Sequence, residues 1–170
     1  SFGQWANWRR TALQYLQKGP ILELAYGTGG LYVDMLKQGL SPVGLDLSPF
    51  MAKLTAKRIQ RHHQQGAILR AKAQNLPFPD HYFMNVVATF PTNYIFELET
   101  LQAVKRVLAP TPEATLIIVM QGELTEGGWL KRFIEWLYQI TSQREATFID
   151  PLHNFEVAGF SARWELARYQ

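Results

Sequence analysis

The chain has 170 residues, a length typical of one domain with a single hydrophobic core. Hydrophobic residues make up 47% and charged residues 18%, as in ordinary globular proteins, and the longest apolar runs are far shorter than the roughly 20 residues that a membrane span needs. There are 17 Lys and Arg residues against 14 Asp and Glu, and the net charge of +3 is small for a nucleic-acid-binding protein. The absence of cysteine excludes disulfides and thiolate chemistry and favours a cytoplasmic location.

The chain begins with a predicted amphipathic helix over residues 4–17, in which Trp5 and Trp8 share one face. Arg9 and Arg10 follow the second tryptophan, and we interpret this basic pair as a solvated helix face. Contact of the two tryptophans and two arginines with a membrane surface is the alternative interpretation. A second basic cluster, also interpreted as solvated, consists of Lys53, Lys57, Arg58 and Arg61.

Short apolar runs then alternate with helical patterns along the rest of the chain. Strands are predicted at residues 21–24, 42–47, 67–69, 85–90 and 115–120, the last two as buried strands. Helices are predicted at 30–38, from 49 until Gly66 ends the helix, at 98–108 and at 129–141, with a helical turn at 154–158. Ser48 has the character of an N-cap, residues 141–151 are predicted as a mobile loop, and residues 160–169 as an exposed antiparallel strand.

Strands that alternate with helices predict an α/β protein, with a parallel sheet covered on both faces. Right-handed crossovers bring the carboxyl ends of all its strands to one edge. Glu23, the turn around Gly27, Asp46, Gln74 and Phe90 all follow or end predicted strands. We therefore expect these residues to line one binding site.

The turn after the first strand does not match other nucleotide-binding loops. From Gly27 it reads GTGGLY, and Tyr32 occupies the position where the dinucleotide fingerprint needs a small residue. A Walker loop is excluded because no Gly-Lys-Ser/Thr follows the glycines. The glycines themselves still favour close approach of a ligand to the backbone.

Four segments in order resemble class I S-adenosylmethionine-dependent methyltransferases, in particular the small-molecule subgroup that includes the ubiquinone and menaquinone C-methyltransferases. ILELAYGTG at residues 21–29 is similar to the first motif of that family, and VGLDLS at 43–48 to its second-strand motif. AQNLPFPD at 73–80 resembles the segment that contacts adenine, and RVLAP at 106–110 the run before the fifth strand. The resemblance implies a Rossmann-like three-layer sandwich that binds S-adenosylmethionine and releases S-adenosylhomocysteine.

The resemblance also implies residue roles. Asp46 would accept hydrogen bonds from the two ribose hydroxyls, while Gly27 and Gly29 would let the backbone approach the ligand. Glu23 would order the loop or reach the amino group of the cofactor through a water molecule. The other implied cofactor-binding residues are Ala25, Tyr26, Thr28, Leu47, Met51, Ala73, Gln74 and Phe90.

Some positions depart from the family pattern. Ala25 replaces the first glycine, which we expect to be tolerated at negative φ. Lys72 and Gln74 stand where many members carry an acid near adenine, and Met84 stands where an aspartate is usual. A binding or regulatory module without turnover is therefore the alternative to an enzyme.

The resemblance implies a seven-stranded, mostly parallel sheet in the order 3-2-1-4-5-7-6, and the sequence ends where the sixth strand is expected to end. We expect either a longer chain or a partner chain to supply the seventh strand. All 170 residues are assigned to one domain: an N-terminal helix over the pocket (1–19), a cofactor-binding core (20–121) and a substrate-side part (122–170).

Methyl transfer from a sulfonium depends mainly on alignment and desolvation, and we assign no catalytic residue. Asn93 and Tyr94 are substrate-side candidates, although both could simply start a helix, and Trp5 and Trp8 are candidates to cover the substrate. Trp129 and Trp136, seven residues apart on a predicted helix, fit a core or an interface better than a substrate platform. The four histidines form no ligand set, so no metal is expected, and a small-molecule acceptor is favoured over nucleic acid; homo-oligomerisation is left open.

Overall fold

A computed structural model describes residues 7–120, 151–163 and 165 of the chain. These residues form a sheet of five strands in the order β3-β2-β1-β4-β5, and every neighbouring pair is parallel. The strands are β1 (Ile21–Leu24), β2 (Val43–Asp46), β3 (Ala67–Arg70), β4 (Asn85–Thr89) and β5 (Thr115–Val119). The predicted α/β class and the order of the first five strands are therefore confirmed.

Helices alternate with these strands. They are α1 (Gly30–Lys37), α2 (Pro49–Arg61), α3 (Leu98–Val107) and α4 (Pro151–Val157), with 3-10 turns at Thr11–Tyr15 and Asn93–Phe96. The predicted N-cap at Ser48 is confirmed, since its side chain accepts a hydrogen bond from the backbone N–H of Met51 at 3.3 Å. Gly39 adopts φ 78° after α1, and its N–H bonds the carbonyl of Leu36.

The sheet register brings the carboxyl ends of the strands together. Leu24 is opposite Leu45 on β2 and Ala88 on β4, so β1, β2 and β4 end at nearly the same level. The turns after β1, β2 and β4 consequently lie side by side at one edge. This is the edge that the sequence predicts as the binding site.

Apolar side chains cover both faces of the sheet. On one face Leu22, Leu24 and Val86 pack with α3, and on the other Ile21 and Val87 pack with α1 and the N-terminal segment. Four of the five residues of β4 are buried, as predicted for a strand covered on both sides. The N-terminal segment is anchored by hydrogen bonds that the buried side chain of Asn85 makes with the backbone of Gln17.

Tyr32, which stands where the dinucleotide fingerprint needs a small residue, is accommodated inside the fold. Its side chain is fully buried between α1 and the sheet, where a Cβ atom on Gly44 or Gly66 would come within 3 Å of the ring. The hydroxyl lies 2.9 Å from the carbonyl oxygens of Pro42 and Ala67. Burial raises the pKa of Tyr32 to about 12. The bulky residue is thus accommodated by glycines on the facing elements.

Several predicted boundaries are wrong. The N-terminal helix is α-helical only at residues 7–10 and continues as the 3-10 turn, while residues 4–6 lie outside the described part. Helix α2 ends at Arg61 rather than at Gly66, because His63 takes a left-handed conformation (φ 52°) and the N–H groups of residues 62–64 satisfy the last carbonyls. Strand β5 is half-buried rather than buried, since within the described residues it pairs only with β4.

The predicted strand at 160–169 is also not observed, as residues 160–163 and 165 are irregular and the others lie outside the described part. The N–H of Phe160 bonds the carbonyl of Phe155, and its ring packs near that of Phe155 and beneath the ammonium of Lys105. These contacts turn the chain back onto α3 and α4. The helix predicted at 129–141 and most of the loop predicted at 141–151 lie outside the described residues, so these predictions stay untested. The expectation that a longer chain or a partner chain supplies a seventh strand is untested as well.

The basic pair Arg9 and Arg10 is not a purely solvated helix face. Both guanidinium groups bind the carboxylate of Asp34 on α1, at 3.1 Å and 3.0 Å. By contrast Lys53, Lys57 and Arg61 are exposed on α2, as predicted, and Arg58 is half-buried. Over the described part of the chain, no helix is both long enough and apolar enough to cross a membrane.

Candidate functional site

The turn after β1 is a tightly coiled segment from Ala25 to Gly29. Ala25, Gly27 and Gly29 have φ angles of 51°, 54° and 71°. The N–H of Gly29 bonds the carbonyl of Tyr26 at 2.8 Å, and α1 then begins at Gly30. The negative φ at which an alanine would be tolerated is not observed at position 25: Ala25 takes the left-handed conformation that a glycine accepts without strain.

Thr55 of α2 supports this turn and was missed from the sequence. Its hydroxyl donates a hydrogen bond to the carbonyl of Gly27 at 2.9 Å, and its side chain is fully buried. A Cβ atom on Gly29 would lie 2.5 Å from the Thr55 methyl group, so only glycine fits there. The sole sequence signal is that Thr55 follows Met51 by one helical turn, on the side of α2 that faces the sheet.

Asp46, the last residue of β2, is held by two backbone groups. Its carboxylate accepts one hydrogen bond from the N–H of Gly27 at 2.9 Å and another from the N–H of Ser48 at 2.8 Å. Only 7% of the residue is exposed. A carboxylate has about four acceptor positions, so roughly two remain for a ligand. The carboxylate is thus oriented before any ligand arrives.

Glu23 lies on β1 directly before the turn and is 1% exposed. Its Oε2 atom has no hydrogen-bond partner among the described residues. Burial raises the pKa of Glu23 well above its usual value, the positive charge of Arg9 opposes this rise, and the charges of Asp34 and Asp46 add to it. A buried carboxyl group with an unmatched oxygen is expensive unless a ligand or water completes its hydrogen bonds.

Two tyrosine hydroxyls add to the polar groups of this edge. Tyr94, in the 3-10 turn after β4, has a buried hydroxyl without a partner among the described residues, and so has Tyr26. Burial raises the pKa of both, and the charge of Asp46 contributes in each case. For Tyr94 the charge of Glu23 contributes as well, so its hydroxyl is within electrostatic reach of both carboxyl groups. Phe90, between β4 and this turn, is itself at φ 50°.

The other predicted residues that the structure describes are half-buried or exposed. Gln74 is exposed and donates a hydrogen bond to the carboxylate of Glu97, before α3, at 2.6 Å. Leu47 is 56% exposed at the edge, and Asn93 is exposed as well. The remaining predicted residues are half-buried Ala73, Met51 and Trp8, exposed Thr28, and Trp5, which lies outside the described residues.

These residues fit the cofactor that the sequence resemblance implies. The space beside Gly27 is open, because a Cβ atom there would meet only the carbonyl oxygen of Ala25 at 3.9 Å. The Glu23 Oε2 atom lacks a partner among the described residues, and Asp46 keeps free acceptor positions. Together they offer acceptors for hydroxyl and ammonium groups beside exposed backbone. Within the described part of the chain no group of three or more His, Cys, Asp or Glu residues could hold a metal ion.

A family model described as a methyltransferase domain matches residues 21–111, more than half of the chain. The chain belongs to this methyltransferase family. The resemblance predicted from residues 21–29 and 43–48 is thereby confirmed, and the matched region contains β1 to β4 and the whole glycine turn.

Curated members of the methyltransferase family match the same part of the chain. A demethylmenaquinone methyltransferase from Thermus thermophilus is 38% identical over 117 residues, covering 65% of this chain and 53% of that protein. A ubiquinone/menaquinone biosynthesis C-methyltransferase from Geotalea daltonii is 30% identical over 119 residues, with coverages of 65% and 51%. The chain spans about half the length of the curated relatives it matches.

A solved structure shows the same methyltransferase fold. It is an S-adenosylmethionine-dependent methyltransferase from Thermotoga maritima, described as a possible histamine N-methyltransferase. It superimposes with a TM-score of 0.64, covering 94% of this chain and 72% of that one at 20% identity. At this identity the likeness establishes the fold and carries no information on the acceptor.

Proposed function

We propose that this protein transfers a methyl group from S-adenosylmethionine to a small-molecule acceptor. The observation that carries the proposal is the buried carboxylate of Asp46, which is oriented by the N–H groups of Gly27 and Ser48 and retains acceptor capacity. A carboxylate that is fixed in this way suits a ligand with two neighbouring hydroxyls, such as a ribose. Family membership and the glycine turn point to the same cofactor.

In this proposal Asp46 binds the ribose, and the backbone from Ala25 to Gly29 lies against the methionyl part. Glu23 acts on the ammonium group of the cofactor, directly or through a water molecule. Its unmatched Oε2 atom and its position before the turn support this role. The remaining proposed cofactor contacts are Tyr26, Thr28, Leu47, Met51, Ala73, Gln74 and Phe90.

S-Adenosylmethionine supplies, when bound, an electrophilic methyl group on a good leaving group. The protein then has to align the acceptor in line with that bond and exclude water. Tyr94 is the proposed acceptor-side residue, because its buried hydroxyl has no partner among the described residues and is within electrostatic reach of Glu23 and Asp46. Asn93, Trp5 and Trp8 are weaker acceptor-side candidates, and residues 122–170 are proposed to complete that side. No general base is assigned.

The names of the relatives indicate which methyl acceptor to test first. The relatives named above act, by their names, on demethylmenaquinone or in quinone biosynthesis, so a quinone-type ring is the first acceptor to test. We also propose a cytoplasmic location, which the cysteine-free sequence favours. The relatives are named as enzymes, and no observation on the described residues favours the non-catalytic alternative.

The experiment is transfer of labelled methyl from S-adenosylmethionine to demethylmenaquinone and to a panel of small hydroxyl, amine and carbon acids. Tyr94→Phe is compared with Tyr82→Phe, because Tyr82 is exposed and belongs to the opposite edge of the sheet. We expect transfer to at least one acceptor, and a loss only in Tyr94→Phe. Cofactor binding without transfer to any acceptor would contradict methyl transfer and favour a binding module.

A further inference from the structure

Arg9 lies directly on the glycine turn, although it belongs to the N-terminal segment. A Cβ atom built on Gly30 would be 2.7 Å from Cζ, 2.8 Å from Nη1 and 2.9 Å from Nε of Arg9. The flat face of the guanidinium therefore occupies the space that any side chain at position 30 would need. Gly30 is the first residue of α1, so this cation lies where the turn meets the helix.

Arg9 and Arg10 share one partner but use it differently. Arg9 donates to Oδ2 of Asp34 through Nε at 3.3 Å and Nη2 at 3.1 Å. Arg10 donates to both oxygens of the same carboxylate, at 3.0 Å and 3.2 Å. The Nη1 group of Arg9 makes no hydrogen bond within the described part of the chain, and it is the group that faces Gly30. Arg9 thus keeps donor capacity at the turn.

A buried carboxyl group lies directly before the same turn. Glu23 is buried there with its Oε2 atom unmatched among the described residues. Burial raises the pKa of Glu23, and the charge of Arg9 opposes that rise, so the two groups are electrostatic neighbours. A cation with a spare donor and a carboxyl with a spare oxygen form a pair that complements a zwitterionic α-amino acid.

We propose that Arg9 binds the α-carboxylate of the methionyl part of the cofactor, and that Asp34 is the positioning residue that holds Arg9 over the turn. The inference rests on the proposed function, because it assumes a ligand with an amino-acid end. It assigns roles in cofactor binding to two residues outside the turn at 25–29, namely Arg9 in the N-terminal segment and Asp34 on α1.

Asp34 is suited to the positioning role. Burial alone would raise its pKa, but the hydrogen bond from Arg10 and the charge of Arg9 outweigh this effect and lower the pKa. The carboxylate is therefore ionised at neutral pH, and its side chain is only 11% exposed. A fixed guanidinium loses less conformational entropy when it binds a carboxylate than a mobile one.

The test compares two ligands on the same protein variants. S-Adenosylhomocysteine carries the amino-acid end, whereas 5′-methylthioadenosine has the adenosine and the thioether but no amino acid. We expect Arg9→Gln to weaken binding of the first ligand by about tenfold or more and binding of the second by less than about twofold, measured by calorimetry. Asp34→Asn should weaken binding of the first ligand by about threefold to tenfold and leave the second unchanged.

Arg10→Gln is the matched control, since it removes a cation from the same carboxylate without touching Gly30. We expect it to change binding of both ligands by less than about threefold. Arg9→Lys keeps the charge and should retain part of the preference for S-adenosylhomocysteine. Binding of the two ligands is compared within each variant. A general loss of stability would weaken binding of both ligands and would therefore not produce a difference between them.

The outcomes separate the two claims. The inference would be overturned if Arg9→Gln weakened binding of both ligands equally, or if Arg10→Gln were as selective between the ligands as Arg9→Gln. Either result would leave the proposed function standing. Binding of neither ligand by the unaltered protein would overturn the proposed cofactor and the inference with it.

Discussion

The carboxylate of Asp46, at the end of β2, accepts a hydrogen bond from the backbone N–H of Gly27, in the turn after β1, at 2.9 Å. The bond joins the two sequence motifs that carry the family resemblance. Because the N–H belongs to the middle of the turn, the position of the carboxylate and the conformation of the turn depend on each other. A substitution at either site should therefore affect the other.

Thr55 fixes the opposite side of the same turn through its bond to the Gly27 carbonyl. Thr55→Val keeps the shape but leaves that carbonyl without its partner, and we expect a loss of about 1–2 kcal/mol in the free energy of unfolding together with weaker cofactor binding. Thr55→Ser keeps the hydroxyl and is the matched control. Urea unfolding and calorimetry check both variants, and equal effects of Val and Ser on cofactor binding would argue against a role for the bond.

The left-handed conformation of Ala25 is strained, because its Cβ atom crowds the following carbonyl group. Ala25→Gly should raise the free energy of unfolding by about 0.5–1 kcal/mol, which is the relieved strain less the extra entropy of glycine in the unfolded chain. Ala71, after β3, is not among the residues with positive φ, so Ala71→Gly should destabilise the protein instead. A lower urea midpoint for Ala25→Gly would contradict this explanation.

Glu23 gives a pH-dependent prediction. Its pKa in the folded protein is raised above the usual 4.5 by burial, so the folded state holds the proton more tightly than the unfolded state. The stabilisation that this proton provides is complete below the unfolded pKa and is lost as the pH rises through the folded pKa. Glu23→Gln cannot titrate, so its stability relative to the unaltered protein should increase with pH above about 4.5.

The measurement for Glu23 is the difference in the free energy of unfolding between variant and unaltered protein, taken at several pH values without ligand. Contributions from titrating groups that do not interact with Glu23, such as Glu113, cancel in this difference. A difference that stays constant or shrinks with rising pH would mean that Glu23 is ionised at little cost in the folded state.

The strand order of the core followed from the sequence because strong local signals agreed with one another. Continuous apolar runs marked buried strands such as β4, and the carboxylates and glycines after β1 and β2 marked the edge where a ligand binds. The segment after Gly159 was predicted wrongly because Phe160 packs on Phe155 and Lys105. Those contacts depend on tertiary structure and leave no periodic signal.

The site was predicted less completely than the fold. The bond from Gly27 to Asp46 joins two residues that the motifs single out, whereas Thr55 and Arg9 come from helices whose patterns indicate only burial or charge. Arg9 and Arg10 look alike in the sequence and share Asp34, and the contact of Arg9 with Gly30 is what distinguishes them. Likewise the left-handed conformation of Ala25 cannot be predicted from the residue type, which disfavours it.

The most direct test of the account is calorimetric titration of S-adenosylmethionine into the protein and into Asp46→Ala, with Glu113→Ala as control because Glu113 is exposed and precedes β5, at the opposite edge of the sheet from the turn. Circular dichroism verifies that each variant is folded. If Asp46→Ala is not folded, Asp46→Asn, which keeps the shape of the side chain, replaces it in the titration. The account predicts binding by the unaltered protein, a loss of more than about tenfold in affinity for the Asp46 variants and less than about twofold for Glu113→Ala. No binding by the unaltered protein, or unchanged affinity in a folded Asp46 variant, would contradict it.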